Sequence, residues 1–189
     1  MDRDPVNRPS TEDEQKPKTS VSWSLARDFC QRIGCELPTE ARWEFAARAG
    51  QQDAYTWGSA PEDGRDRGNF FDESRTTRGT EQNGLGKRFP FEDGFASLAP
   101  VARFQPSRIG FYDLIGNAAE WCADSYHDEY ELLGEDDPVG HRENGFRSYR
   151  GGSYGMGIEW SRVAKRHQGK DSPTGSRADL GFRPMRRLP

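Results

Sequence analysis

The sequence predicts an α+β domain with two short helices, a small antiparallel sheet and a large share of loop. Helical periodicity with caps is confined to two stretches before residue 50. The strand-like runs that follow are three or four residues long and are separated by turn-rich segments. The core has to be aromatic, because Leu, Ile, Val and Phe together make 29 of 189 residues, whereas Trp, Phe and Tyr number 5, 11 and 6. Each large ring buries roughly 150–250 Å², so a few rings replace many aliphatic side chains. A formal net charge of −4 is too small to hold the chain open by self-repulsion.

Residues 1–20 read as a polar, flexible tail. Met1 to Lys18 is charged and Pro-rich, the opposite of a signal-peptide core, and no window reaches the ~18 apolar residues of a membrane span. The domain is then 21–189. Ser22 or Ser24 caps a first helix that runs to Ile33 and is closed by Gly34. Leu25, Phe29 and Ile33 recur every fourth residue, with Ala26 and Cys30 beside them, and form the predicted buried stripe. Cys30 on that stripe reads as an inert, buried thiol. Pro38, Thr39 and Glu40 open a second helix: proline loses nothing in a first turn, Thr39 caps, and Glu40 faces the positive end of the dipole. Trp43, Ala46 and Ala47 point inward, and Gly50 ends it.

From Gln51 to Gln105 no period of 2 or 3.6 is sustained, so buried tryptophans or a bound metal have to hold this stretch. Strand candidates are Phe111–Leu114, Glu120–Cys122, Phe146–Tyr149 and Gly181–Arg183, and there is no internal repeat. From His141 onward eleven lysines and arginines face four acids, and the rest of the chain is acidic. The expected use of these cations is internal pairing with the acidic part; no nucleic-acid motif is present. Three cysteines make no disulfide framework, fit a reducing compartment and point to the cytoplasm.

Six phrases in order then carry a resemblance: Val21-Ser22-Trp23, Leu37 to Arg48, Trp57-Gly58, Gly110 to Trp121, Arg150-Gly151-Gly152-Ser153-Tyr154, and Gly181-Phe182-Arg183. The series resembles the formylglycine-generating enzyme, or sulfatase-modifying factor, family from about Val21 to Pro189. The resemblance implies that family's variant of the C-type lectin fold. It also implies two structural calcium sites, one at Asn69, Phe70, Asp93 and Phe95, the other at Asp113, Gly116, Ala118 and Glu120. Hard oxygens from carboxylates and turn carbonyls suit calcium.

The sequence departs from the family where its chemistry lies. The active enzymes carry two copper-binding cysteines shortly after the Gly-Gly-Ser phrase; here Met156 stands at the first position and Gly155 to Val163 holds no cysteine. A thioether cannot become a thiolate, so formylglycine generation by that route is not expected, and no redox metal is. The family's front strands and helix are also not supplied by the twenty polar residues before Val21. Either another chain supplies them, or the sequence is trimmed, or the fold survives in reduced form; an open sheet edge favours a homo- or hetero-oligomeric contact. Sulfoxide synthases of the family hold iron on a separate helical domain absent here. The three histidines His127, His141 and His167 make no evident two-histidine, one-carboxylate set.

The candidate recognition surface is the C-terminal loop region: Ser153, Tyr154, Met156, Glu159, Trp160, Arg162, Arg166 and His167. The resemblance places these residues along the family's substrate groove, and variable proteins of diversity-generating retroelements vary in the corresponding region. The expectation is a non-catalytic, calcium-stabilised binding or scaffold module for a protein or peptide. A divergent metal-dependent oxidoreductase and an inactive paralogue that pairs with an active enzyme are the alternatives.

Overall fold

The computed structural model describes residues 15–74, 86–128, 145–172 and 177–187. Helix α1 spans Trp23–Arg32 and helix α2 spans Glu40–Arg48. Four strands follow: β1 (Ala119–Ser125), β2 (Phe146–Arg150), β3 (His167–Lys170) and β4 (Leu180–Phe182). Both helices begin at the predicted caps. Ser22 Oγ accepts from the Leu25 amide and Thr39 Oγ1 from the Arg42 amide, each at 3.2 Å. The Asp124 carboxylate accepts the Glu40 amide at 2.7 Å, which sets the positive end of α2 against β1.

The sheet runs β3-β2-β1-β4. β1–β2 and β2–β3 are antiparallel, but β1–β4 is parallel, so the sheet is mixed and not wholly antiparallel. The chain leaves β3 at one edge and rejoins at the other, and that crossover delivers β4 parallel to β1 where a hairpin would have reversed it. Polar His167–Lys170, which shows no apolar alternation, is an edge strand that pattern alone does not predict. The predicted strand Phe111–Leu114 does not form. Asp113, Gly116 and Asn117 all take positive φ (54°, 84° and 58°), so the chain turns repeatedly there. The Gly116 and Asn117 amides reach the Gly151 and Asn69 carbonyls instead of a neighbouring strand.

Two aromatic cores flank the sheet. Ala119, Trp121, Tyr149, Met156 and Leu180 pack with Trp23, Ala26 and Cys30 of α1. Cys122 joins Trp43, Ala47, Tyr55, Phe70, Phe89, Phe91, Ile115 and Val163. The second core organises the aperiodic stretch after Gly50: Tyr55 stacks on Trp57 at 4.7 Å, and Phe70 meets Phe89 at 4.4 Å. The buried indoles are satisfied, Trp23 Nε1 by the Cys122 carbonyl and Trp121 Nε1 by the Val21 carbonyl.

Helix α1 buries only the small residues of its predicted stripe, Ala26 and Cys30, together with Trp23. Leu25, Phe29 and Ile33 are 60 %, 49 % and 52 % exposed, while Trp23, Ala26 and Cys30 are buried. Small Ala26 and Cys30 let the helix approach the sheet, and the Trp23 hydrogen bond fixes its rotation. Leu25 and Phe29 instead line a cavity of about 770 Å³ with Val101, Tyr112, Phe182 and Pro184. Residues ahead of α1 also lie against the domain, with the Ser20 amide on the Arg177 carbonyl. The Gly-Gly turn after β2 is sterically required. A Cβ on Gly151 would stand 2.7 Å from the Leu114 carbonyl oxygen and one on Gly152 2.7 Å from Ser161 Oγ, both at positive φ. Among the described residues no helix is long and apolar enough to cross a membrane.

Candidate functional site

The Gly-Gly turn turns the chain from β2 into the C-terminal loops. Ser153 is fully buried there, and its hydroxyl donates to Asp179 Oδ2 at 2.5 Å. Asp179 is clasped by the Arg177 guanidinium at 2.8 Å through both oxygens, which holds its carboxyl below the usual range despite burial. Arg177 also donates to the Tyr149 hydroxyl at 3.3 Å. Met156 is 4 % exposed and belongs to the first core; its carbonyl accepts from the Phe71 amide and from Ser161 Oγ.

Beyond the short 3₁₀ turn Ile158–Trp160, the rings of Trp160, His167 and Tyr149 stack in series, at 5.7 Å and 5.0 Å between centroids. His167 Nε2 lies 2.9 Å from the Trp160 carbonyl. Burial between two rings, with Lys165, Arg150 and Arg177 nearby, pulls its pKa down to about 4, so this imidazole is neutral at physiological pH. Arg166 points inward: it pairs with Glu40 at 2.6 Å and donates to the His127 carbonyl. Glu40 is shared with fully buried Arg150, which also bonds Glu44 and the Val163 carbonyl. The C-terminal arginines thus do pair with acids from the front of the chain, as Arg183–Glu120 and Arg187–Glu36 also show.

Of the eight predicted recognition residues, Ser153, Met156, Arg166 and His167 are therefore held inside. Tyr154 and Trp160 are half-buried, and Glu159 and Arg162 are exposed. Asp179, Tyr149 and the loop Gly86–Arg88 belong to the same region and were not singled out from sequence. Asp179 stands immediately before Leu180-Gly181-Phe182-Arg183, and that adjacency is the one signal in the sequence for it.

Both predicted calcium sets assemble, with different fits. In the first, fully buried Asn69 donates through Nδ2 to the Ser97 carbonyl and to Asn117 Oδ1. Two acceptors on Nδ2 fix the amide orientation, which leaves Asn69 Oδ1 buried without a hydrogen-bond partner. Asp93 accepts the Phe70 and Phe95 amides at 2.7 and 2.9 Å. Asp72, unnoticed in the sequence, accepts the Asp93 amide at 2.5 Å and adds a second carboxylate. Burial, with Asp72 alongside, pushes Asp93 up to about 7. An orphaned amide oxygen, with two crowded carboxyls joined to the next residue through the Phe70 amide, is a donor set of the kind a hard cation takes.

The second set fits poorly. Asp113 Oδ1 is buried and unpartnered. Both Glu120 oxygens, however, are taken by Arg183 at 2.6 to 3.1 Å and by Trp43 Nε1 at 2.8 Å. Arg183 reaches the Tyr112 and Asp113 carbonyls as well, so a guanidinium already supplies the positive charge among these groups. Gly116 and Ala118 lie in the same turn. Among the described residues no three His, Cys, Asp or Glu side chains converge as a metal cluster. His167 serves the contacts given above; His127 offers Arg166 only its backbone carbonyl, and its Nδ1 is buried without a hydrogen-bond partner. His141 lies outside the described residues. Cys30 and Cys122 are buried, and desolvation is the chief cause that pushes both thiols up, Cys30 to about 11.

The geometry is that of a loop-rich C-type lectin-like domain whose specialised loops follow the Gly-Gly turn. A sulfatase-modifying factor enzyme 1-like domain model matches residues 2–188, and the chain belongs to that family. It is 35 % identical over 177 residues to a formylglycine-generating enzyme of Streptomyces coelicolor, covering 88 % of this chain and 51 % of that protein. An inactive C-alpha-formylglycine-generating enzyme 2 of Bos taurus is 41 % identical over 112 residues, 58 % of this chain and 33 % of the relative. The chain thus spans about half the length, or less, of these curated relatives. Variable protein 1 of Treponema denticola shares the fold at a TM-score of 0.66 and 20 % identity, over 93 % of this chain and 72 % of that one.

Proposed function

We propose that this chain is a non-catalytic recognition or scaffold module of its family, stabilised by calcium at Asn69 and Asp93, that holds a protein or peptide ligand on its C-terminal loops. The carrying observation is Met156. A core thioether stands where the family's first copper cysteine is expected, and the sequence has no cysteine beyond Cys122. Cys30 and Cys122 offer no substitute, because buried thiols with raised pKa values are poor thiolates. The exposed loop positions Glu159 and Arg162, with half-buried Tyr154 and Trp160, then serve binding. A cytoplasmic setting and an oligomeric contact at the sheet edge are parts of the same reading. An inactive paralogue that pairs with an active enzyme is supported by the relative named as inactive.

The test is mass spectrometry of a cysteine-containing sulfatase-motif peptide incubated with the purified protein, oxygen and copper. The expected result is an unmodified cysteine at long times. Catalytic accumulation of formylglycine that disappears in the Cys35→Ser or Cys122→Ser variant would overturn the reading.

A further inference from the structure

Between Gly145 and Lys170 the chain carries six lysines and arginines and one acid, Glu159. Three of the six are committed to the interior or to α1. Arg150 and Arg166 pair with Glu40, and Arg147 lies 3.9 Å over the Trp23 ring and bonds Ser125. Lys170, at the end of β3, has its ammonium 5.9 Å from the Phe146 ring centroid. Arg162 and Lys165 remain on the loop face, with no ion-pair partner among the described residues.

A second loop brings two more cations to them. The Ile158 amide donates to the Lys87 carbonyl at 2.8 Å, and the Lys87 amide donates to Glu159 Oε2 at 3.0 Å. A Cβ on Gly86 would lie 2.6 Å from Trp160 Cδ1, so this loop runs tight against the indole. Lys87 is exposed. Arg88 stacks 4.8 Å over Phe71, with its Nε–H buried and without an acceptor. Phe71 is itself tied to the Met156 carbonyl, so Arg88 stands beside the turn that follows Ser153. Glu159, the acid between Gly145 and Lys170, is already engaged by the Lys87 backbone amide. Lys165 is positioned by Trp160, its ammonium 4.6 Å from the ring centroid.

We propose that the face formed by Lys87, Arg88, Arg162 and Lys165 around Trp160 binds an acidic peptide segment, an assignment that rests on the recognition role proposed above. A carboxylate docks on the Arg88 guanidinium in the forked geometry that the two groups share. The cations are spread along two loops with half-buried Tyr154, Ile158 and Trp160 between them. That spacing suits a polypeptide in which Asp or Glu alternate with apolar residues better than one compact anion. Nucleic acid is disfavoured because the Trp160 ring is already engaged by His167 and by Lys165, leaving it a poor platform for a base.

The experiment is selection of a random displayed peptide library on the whole chain, with counter-selection on a variant carrying Arg88→Gln, Arg162→Gln and Lys165→Gln. Circular dichroism confirms that the variant is folded. The selected peptides are then synthesised and measured by fluorescence anisotropy at low and high salt. Acid-rich peptides that bind the native chain, weaken about tenfold on Arg88→Gln and roughly threefold on Arg162→Gln, and weaken with salt, support the proposal. Peptides that need this face but are neutral or basic overturn the acidic assignment and leave the recognition role standing. No peptide dependent on the face overturns both. A single-stranded DNA oligonucleotide binding as tightly as the acidic peptides would overturn the peptide assignment in favour of a general polyanion site.

Discussion

Arg150 illustrates how far a single side chain in this protein depends on its partners. It is fully buried beneath Trp43 and bonds Glu40, Glu44 and the Val163 carbonyl. Removing one partner of such a group leaves an uncompensated buried charge, so Arg150→Gln is expected to cost about 3–5 kcal/mol in urea denaturation. His167 makes a second prediction, because its folded pKa of about 4 lies below the ordinary 6.5. The unfolded chain takes up the proton first as pH falls, so stability is full above about pH 6.5 and declines toward pH 4, by up to about 3 kcal/mol for this group. The groups facing the ring make this direction firm: Lys165, Arg150 and Arg177 are all cations, and the rings of Tyr149 and Trp160 exclude water. His167→Phe keeps a stacking ring without a titrating proton. Urea midpoints measured between pH 6.5 and 5 are expected to be flatter in that variant, and an unchanged slope would reject the assignment.

Helix α1 shows what periodicity does and does not reveal. Its two ends and both caps were legible, because Ser22 and Gly34 act within one turn of their own positions. Its exact rotation was not, because the one apolar stripe is wider than the face that packs. Small Ala26 and Cys30 meet the sheet, and the larger Leu25, Phe29 and Ile33 beside them stay exposed. Leu25→Gln is accordingly expected to change stability by no more than about 0.5 kcal/mol, whereas Ala26→Leu overpacks the sheet contact and costs about 1–3 kcal/mol. Thermal melts of the two variants decide the helix orientation directly, since a buried Leu25 would make Leu25→Gln costly as well. The strands divide along the same line. β1, β2 and β4 announce themselves through buried aromatic or aliphatic residues, while β3 is a polar edge whose partner is supplied by topology. Phe111–Leu114 had strand composition, but the left-handed residues Asp113, Gly116 and Asn117 make it a clasp between the Asn69 and Gly151 loops.

The described residues join two short α-helices and four strands to long aperiodic loops, and Glu36, between the two helices, meets the segment after β4 at Met185 and Arg187. The motif phrases revealed which loops meet, but not how charge is balanced where they meet. That balance separates the two calcium sets. At the first, Asn69 Oδ1 lacks a partner and Asp93 is crowded by Asp72, so a cation relieves both. At the second, Arg183 already bridges Glu120 to the Tyr112 and Asp113 carbonyls, and a further cation would meet a resident guanidinium. The proposed calcium role therefore predicts one ion per chain and not two, by elemental analysis after dialysis against calcium. An ion bound only by the folded chain stabilises it by about 2.7 kcal/mol at a hundredfold excess over its Kd. Chelation is thus expected to lower the Tm by several degrees, and magnesium, which demands a tighter octahedron, is not expected to restore it. Asn69→Ala should abolish the calcium-dependent shift, while Asp113→Asn should retain it, because the second set is not used. Two ions per chain, or a shift lost in Asp113→Asn but kept in Asn69→Ala, would reverse this order of the sites and require Arg183 to yield its place.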